Sequence, residues 1–384
     1  MMTVPSIQKA IQGESLDGWL FCNFAHRDRL TDDILGLDRE TVSSRRWFYL
    51  VPSEGNPVKV VHAIEKGILD SLPGTKTVYS SREELEKALS FFGGKRIAVL
   101  SDPYIQVLST MDASSWRLAV ASGAECLSAA PVIQRVKGLL TPEGIASHEK
   151  AAAHLYRIVD ECWNTVRESF QAGKTLHEGD IQKVMLEKLR EAGLITDHPP
   201  IVAAGAAAGD PHYEVRGQGN PIHRGDVLQF DIWAKSPGGI YADISWVGYC
   251  DSEVPGPVKS RFANLLAARD LVKPEIERAF AEGRAVSGFE LDSLVRKRLL
   301  ESFPPEALRH RTGHGIDTDC HGSGVNLDSV EFPDHRVLLE GSCFSVEPGV
   351  YFDDCGFRTE IDIYVKGGQP IISGPGAQRE LLTL

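Results

Sequence analysis

The sequence predicts an α+β protein in two parts: a small α/β domain over residues 1–135, then a larger domain over 136–384 made of two similar helix–strand halves. Three observations carry this. Short apolar runs bounded by turn residues punctuate the first third, a polar break follows Pro131, and the remainder matches itself at long range. A length of 384 residues also exceeds the roughly 100–150 residues usual for a single domain.

In the first part, Gly18–Cys22, Trp47–Val51 and Ile97–Leu100 are apolar runs of strand length beside turn residues, and they read as strands. Ser81-Arg82-Glu83-Glu84 opens a helix, with Ser81 as cap and Glu84 placed to reach back in a capping box. His26 and His62 stand without partners of a site type and read as structural. The second part opens at Thr141-Pro142-Glu143, with Thr as cap and Pro in the first turn, where a missing N–H is harmless. A helical pattern then runs to about Phe170.

The repeat lies beyond that helix. Phe170-Gln-Ala-Gly173-Lys-Thr-Leu176 leads into Ile181, Val184 and Leu189, and Phe280-Ala-Glu-Gly283-Arg-Ala-Val286 leads into Leu291, Leu294 and Leu299 at the same offset. Further on, Gly225 to Asp231 resembles Gly341 to Glu347: a turn glycine, a strand, and a carboxylate at its end. Each carboxylate is followed by another on the next strand, Asp243 in one half and Glu360 in the other. A period this long means a duplicated half-domain rather than a solenoid, and pseudo-twofold symmetry would bring the two pairs together.

Composition excludes several classes. A formal net charge of -12 leaves no basic excess to neutralise phosphates, so nucleic-acid binding is not expected. The seven cysteines are odd in number and form no C-x-x-C pair, so neither a disulfide framework nor a thiolate zinc site is expected, and most read as small apolar fillers. The N-terminus lacks a secretory pattern and no apolar run reaches membrane-spanning length, so a soluble, cytoplasmic protein with no membrane partner is expected.

Carboxylates brought together in apolar strands cannot all stay ionised unaided, since like charges and burial both favour the protonated form. Cations are the direct remedy, and four carboxylates in two matched pairs suit two of them better than one. Imidazole comes from His310-Arg-Thr-Gly-His314-Gly-Ile316, with His321 downstream and His212 in Pro211-His212-Tyr213. Gly313 and Gly315 argue against a continuous helix there and for close backbone packing. The helical H-E-x-x-H zinc arrangement is absent.

Taken in order, Pro211-His212-Tyr213, Asp231, Asp243-Ile244-Ser245, His310-x-x-x-His314-Gly-Ile, Val346-Glu347-Pro348-Gly349-Val350-Tyr351 and Arg358-Thr359-Glu360 resemble the signature of the pita-bread metallopeptidases, the creatinase, aminopeptidase P, prolidase and methionine aminopeptidase family. The first domain resembles the creatinase-type domain of the Xaa-Pro aminopeptidase and prolidase branch. The resemblance implies a pita-bread catalytic domain and a dinuclear centre of two divalent ions (manganese, cobalt, zinc or iron) held by Asp231, Asp243, His314, Glu347 and Glu360. Asp243 and Glu360 would bridge. It further implies hydrolysis of Xaa-Pro bonds in small peptides through a metal-bridging hydroxide, with Glu347 moving the proton. His212, His310 and His321 would hold substrate and intermediate, and Arg358 would orient a ligand carboxylate from behind. A homodimer is implied by resemblance alone.

The neighbours of these residues depart from the family pattern. Ile232-Trp233 follow Asp231 where a small residue and Gly are common, Trp246 stands where Arg is common, and Asp317-Thr-Asp319-Cys320-His321-Gly322 replaces a Gly-Leu-acid-Val-His-acid run. Trp233 and Trp246 read as packing or as walls of a narrowed pocket; Asp317 and Asp319 read as solvated loop charges or as readers of a cationic group. A creatinase-like or lyase-like enzyme acting on a non-peptide molecule, or a non-catalytic binding protein, are the alternatives.

Overall fold

The structure, a computed structural model, describes residues 3–384. It divides after Lys137 into two compact units.

The first unit is a six-stranded mixed sheet: β1 (Gly18–Asn23), β2 (Trp47–Pro52), β3 (Val58–His62), β4 (Thr75–Tyr79), β5 (Arg96–Val99) and β6 (Glu125–Ser128), in the order β4-β3-β2-β1-β5-β6. Successive residues of β1 serve opposite faces. Trp19 and Phe21 pack in a cluster with Ile7 and Ile11 of α1 (Val4–Gly13), Ile34 of α2 (Arg29–Leu35) and Ile133 near the unit's end. Leu20 and Cys22 pack in another with Leu85 and Leu89 of α3 (Arg82–Leu89) and Leu118 of α4 (Ala113–Ala121). Both faces are covered, which is why the strands read as unbroken apolar runs. The capping box at Ser81 and Glu84 forms as expected. His26 bridges Asp32 and the Thr41 carbonyl, at 2.8 and 2.7 Å, and His62 accepts from Ile64 N. Both are structural. After Ala130–Val136 (α5) the second unit begins.

That unit opens with α6 (Pro142–Gln171), capped by the Thr141 side chain at Gly144 N. Gly173, at φ +63°, turns the chain into α7 (Glu178–Glu191). Then come β7 (Ile201–Ala204), β8 (Val227–Ala234) and β9 (Ala242–Tyr249). The second half runs α8 (Gly256–Arg269), α9 (Val272–Ala281), a turn at Gly283 (φ +66°) and α10 (Gly288–Leu300). It ends in β10 (Cys343–Val346), β11 (Gly349–Tyr351), β12 (Gly356–Arg358), β13 (Ile361–Lys366), β14 (Gln369–Ile372) and β15 (Leu382–Thr383). The sheets are β15-β9-β8-β7, β10-β13-β14 and β11-β12, antiparallel except where β15 joins β9.

The duplication seen in the sequence is repeated in backbone hydrogen bonds. Glu178 N donates to Asn220 O as Gly288 N does to Arg336 O; Gly179 N to Gln218 O as Phe289 N to Asp334 O; Ile222 N to Leu176 O as Leu338 N to Val286 O. The turn glycines match as well, Gly225 at φ +86° and Gly341 at +87°. The second carboxylates do not match in register. Asp231 faces Ser245 across the β8–β9 ladder, and Asp243 lies two places along, opposite Trp233. A shift of two keeps the side chain on the same face. In the other half Val346 faces Ile361, so Glu347 and Glu360 flank the end of that ladder.

No helix among the described residues is long and apolar enough to cross a membrane.

Candidate metal centre

The two halves are stitched together at the carboxylates. Glu360 N donates to Ser245 O at 3.0 Å, and Asp243 N donates to Asp362 Oδ2 at 2.8 Å. These bonds bring the end of β13 against β9. Ser245 Oγ then donates to Glu360 Oε2 at 3.0 Å, fixing one of that carboxylate's oxygens.

His314 arrives by a pairing outside the named strands. Glu347 N donates to Thr312 O, Ser345 N to His314 O and Ile316 N to Cys343 O, at 2.7 to 2.9 Å. The stretch from Thr312 to Ile316 thus runs along β10 as an extra edge, and it can approach only because its alternate residues are glycines. A Cβ on Gly313 would lie 2.0 Å from Ser345 O. Gly313→Ala is therefore expected to destabilise by about 1–3 kcal/mol through overpacking and to displace His314. Urea unfolding, with metal content measured alongside, checks this; unchanged stability and metal loading would contradict it.

Three triads of possible donors result: Asp231, Asp243 and Glu360; His314, Glu347 and Glu360; and Asp243, His314 and Cys320. Within each, the donor atoms lie within 4.8 Å of one another. Asp243, Glu360 and His314 are each shared between two triads. Arg358 supports the first: its guanidinium donates to Asp231 Oδ2, to Ser245 Oγ at 3.1 Å, to Pro211 O at 2.9 Å and to Tyr351 OH at 3.1 Å.

The residues fit a cation on chemical grounds. Asp243 Oδ1, Glu360 Oε1 and Asp362 Oδ1 are buried and have no hydrogen-bond partner, a condition native interiors rarely tolerate for carboxylates. Burial, then Asp231 and Asp362, raises the Asp243 carboxyl well above its usual range; burial, then Asp243 and Glu347, does the same to Glu360. Glu347 is pushed up to about 7 by burial, with Arg358 opposing and Asp231 adding. Burial, then His321, holds the His314 imidazolium well below its usual value, so the ring is neutral. Its Nδ1 lies 3.4 Å from Gly315 O, while Nε2 faces Glu347 Oε1 at 3.4 Å and Asp243 Oδ2 at 3.7 Å. With the proton on Nδ1, an imidazole lone pair and carboxylate lone pairs point at the same space, the disposition of a ligand set.

The middle of the second unit matches a known family. The model of metallopeptidase family M24 matches residues 148–367, more than half of the chain. The chain belongs to metallopeptidase family M24. Its likeness to individual proteins is lower. It is 28% identical over 214 residues to the Xaa-Pro dipeptidase of Lactobacillus delbrueckii subsp. lactis, a match covering 50% of this chain and 52% of that one, so the chain spans about half the length of that relative. Among solved structures, dipeptidase PepE from Mycobacterium ulcerans superposes with a TM-score of 0.73 at 18% identity, covering 99% of this chain and 96% of that chain. The X-prolyl aminopeptidase of Caenorhabditis elegans, a cytosolic enzyme with a di-nuclear active site, gives 0.61 at 14% identity over 95% of this chain and 59% of that one. The fold is the pita-bread α+β fold of the M24 family, preceded by a small α/β domain.

The three other histidines expected at the site sit differently from one another. His310 donates from Nδ1 to Arg311 O at 2.7 Å, so its Nε2 accepts from Tyr351 OH, also at 2.7 Å. Both ring nitrogens are engaged, and burial followed by the Arg358 charge pushes its imidazolium down to about 3. His321 is exposed with its ring against His314, centroids 4.3 Å apart. His212 is exposed in an open polar cleft of about 520 Å³ with Asp210, Tyr213, Arg216 and Asn220.

Several expectations need correction. Asp317 is neither a solvated charge nor free to read a substrate: it is buried, and its two oxygens accept from Asp319 N and Ser323 N at 2.8 and 2.7 Å, tying the turn that carries His321. Asp319 is exposed. Trp246 packs edge-on against Tyr156 in the helix-facing core, and Trp233 donates to Asp197 at 2.6 Å. Cys320 is buried in a small apolar cluster, as a filler would be, and its thiol also donates to Asp243 Oδ2 at 3.0 Å. Two supporting carboxylates went unread. Glu178 accepts from Ala204 N, Asn220 N and Tyr213 OH beside the His212 loop, and Asp292 accepts from Thr312 and Ser329 beside the His314 segment. Only their apolar surroundings on helices α7 and α10 could have signalled them.

The raised Glu347 carboxyl has a consequence for metal-free protein. A group whose pKa is higher folded than unfolded contributes stability at low pH that is lost as pH rises from the ordinary glutamate range through about 7. Metal-free Glu347→Gln should therefore match wild type in Tm in the ordinary glutamate range and exceed it increasingly up to about pH 7. A gap that is flat with pH would contradict this.

Proposed function

We propose that the protein is a dinuclear metal-dependent peptidase that hydrolyses Xaa-Pro bonds in small peptides. The observation that carries this reading is the convergence of Asp231, Asp243, His314, Glu347 and Glu360 with buried carboxylate oxygens that have no other partner. Membership of a metallopeptidase family and likeness to an Xaa-Pro dipeptidase support this substrate class.

In this reading Asp231 is a terminal ligand oriented by Arg358. Asp243 and Glu360 each carry one oxygen without a partner and would bridge the two ions, with His314 and Glu347 completing the second position. The chemistry a pair of divalent cations supplies in such a site is Lewis acidity toward a water and a scissile carbonyl. Oxygen-rich ligation with one imidazole is compatible with manganese, cobalt, iron or zinc. Glu347 would take the proton from the nucleophilic water and pass it to the leaving nitrogen, because it is the least buried of the candidate ligand carboxylates. His212 and His321, exposed at the site's rim, hold substrate carbonyls. Neutral His310 receives the Tyr351 hydroxyl proton in a hydrogen bond and so keeps Tyr351 oxygen free to accept from Arg358.

The test is turnover of a peptide panel by mass spectrometry after loading with manganese, cobalt or zinc. The panel holds Xaa-Pro dipeptides, longer Xaa-Pro peptides, and matched peptides with Ala for Pro. Cleavage only before proline is expected. Folded, metal-loaded protein that cleaves none of them would overturn the peptidase reading in favour of a non-peptide substrate.

A further inference from the structure

We infer that Cys320 is an additional, sulfur ligand of the second metal position, sharing it with Asp243 and His314. The inference rests on the metal centre proposed above and adds a donor to it.

The geometry is specific. Cys320 Sγ, a donor nitrogen of His314 and an oxygen of Asp243 lie within 4.8 Å of one another, as close as the other two triads of this site. The Cys320 thiol donates to Asp243 Oδ2 at 3.0 Å, and the two residues are buried, 6% and 5% exposed. Its position is set by the backbone. Asp317 ties the turn through Asp319 N and Ser323 N, and Gly322 N donates to Gly315 O at 2.7 Å, folding the turn back beside His314. A second observation points to a cation beside this triad: Asp243 Oδ1, on one of its three residues, is buried without a partner.

A packing role is the bland alternative, since the same residue touches Tyr241 and Ile316 in a small apolar cluster. Packing alone would be served by a methyl group aimed at those neighbours. The S–H···Oδ2 hydrogen bond accounts for the thiol facing Asp243 in the metal-free protein, but it leaves Asp243 Oδ1 without a partner and keeps the three donors close enough to share a cation. On ligation the S–H bond breaks heterolytically, the proton leaves to solvent, and the sulfur lone pair goes to the cation; nothing is oxidised or reduced. A soft thiolate among hard oxygens biases the site toward zinc or cobalt and away from manganese.

The experiment is cobalt loading of wild type and Cys320→Val, with bound cobalt counted by mass spectrometry and absorption recorded. Wild type is expected to show intense near-ultraviolet sulfur-to-cobalt charge transfer in addition to weak visible bands. Cys320→Val should bind cobalt, keep the visible bands and lose the charge-transfer band, and in competition it should lose preference for zinc over manganese. Cobalt bound by both proteins with identical near-ultraviolet spectra would overturn the sulfur ligand while leaving the metal centre standing. No cobalt bound by wild type would overturn both. Cys320→Ser, which keeps a polar donor of similar size, serves if the valine variant fails to fold.

Discussion

Asp243→Ala and Glu360→Ala should each abolish metal loading and turnover together, and each should make the metal-free protein more stable. The two effects share a cause. Asp243 and Glu360 are buried, each carries an oxygen with no partner, and each is pressed toward its protonated form by burial and by neighbouring carboxylates. A carboxylate in that position destabilises the empty fold. In the proposed centre a bound metal offsets that cost, the usual relation between stability and a functional site. In the proposed centre, removing one bridging group would deprive both ions of a ligand. Calorimetry of chelated protein measures the gain, and elemental analysis with peptide turnover measures the loss. A variant that keeps both metals and the full rate would remove the bridging assignment. One that loses metal and also loses metal-free stability would show that the carboxylate is structural.

Arg358→Ala should act in the opposite direction on stability. Its guanidinium joins Asp231, Ser245, Tyr351 and the Pro211 carbonyl, linking β8, β9 and the His212 loop through one planar group. Against Asp231, Asp243, Glu347, Glu360 and Asp362 it is the positive group in direct contact with the cluster. Breaking a buried pair by removing one partner costs about 3–5 kcal/mol, so urea unfolding of metal-free Arg358→Ala should show a loss of that order. Metal affinity should fall roughly 10–100-fold, as for other groups that orient a ligand. Arg358→Lys should recover little, because a single ammonium cannot reach four acceptors in a fork. Full recovery by lysine would show that charge alone matters.

Much of this could be read from residue order, and the parts that could not share a physical reason. Thr141, Pro142, Ser81 and Glu84 announce helix starts through local hydrogen bonds, so they were legible. The duplication was legible because matched turns at Gly173 and Gly283 and at Gly225 and Gly341 need the same residue type. The edge strand Thr75–Tyr79 was not, since it is polar and mostly exposed and offers no alternation. The ligand strands β8 and β9 are buried on both faces, which erases the period-two signal that would have shown where Asp231 and Asp243 point. The pairing of Thr312–Ile316 with β10 spans about thirty residues and is made by backbone groups, so the sequence shows only its permissive glycines. Asp317 looked like a surface acid because its burial comes from a local turn that it ties itself, and the Cys320 contact with Asp243 was hidden because the two lie 77 residues apart.

The central claim is that these residues form a two-metal site. The direct measurement is metal content per folded chain after loading with cobalt, zinc or manganese and removal of free ions, for wild type beside Asp243→Ala. The account predicts about two ions per wild-type chain and a failure of both to bind in the variant. Wild-type protein that is folded yet retains no metal, or a variant that retains as much as wild type, would contradict it.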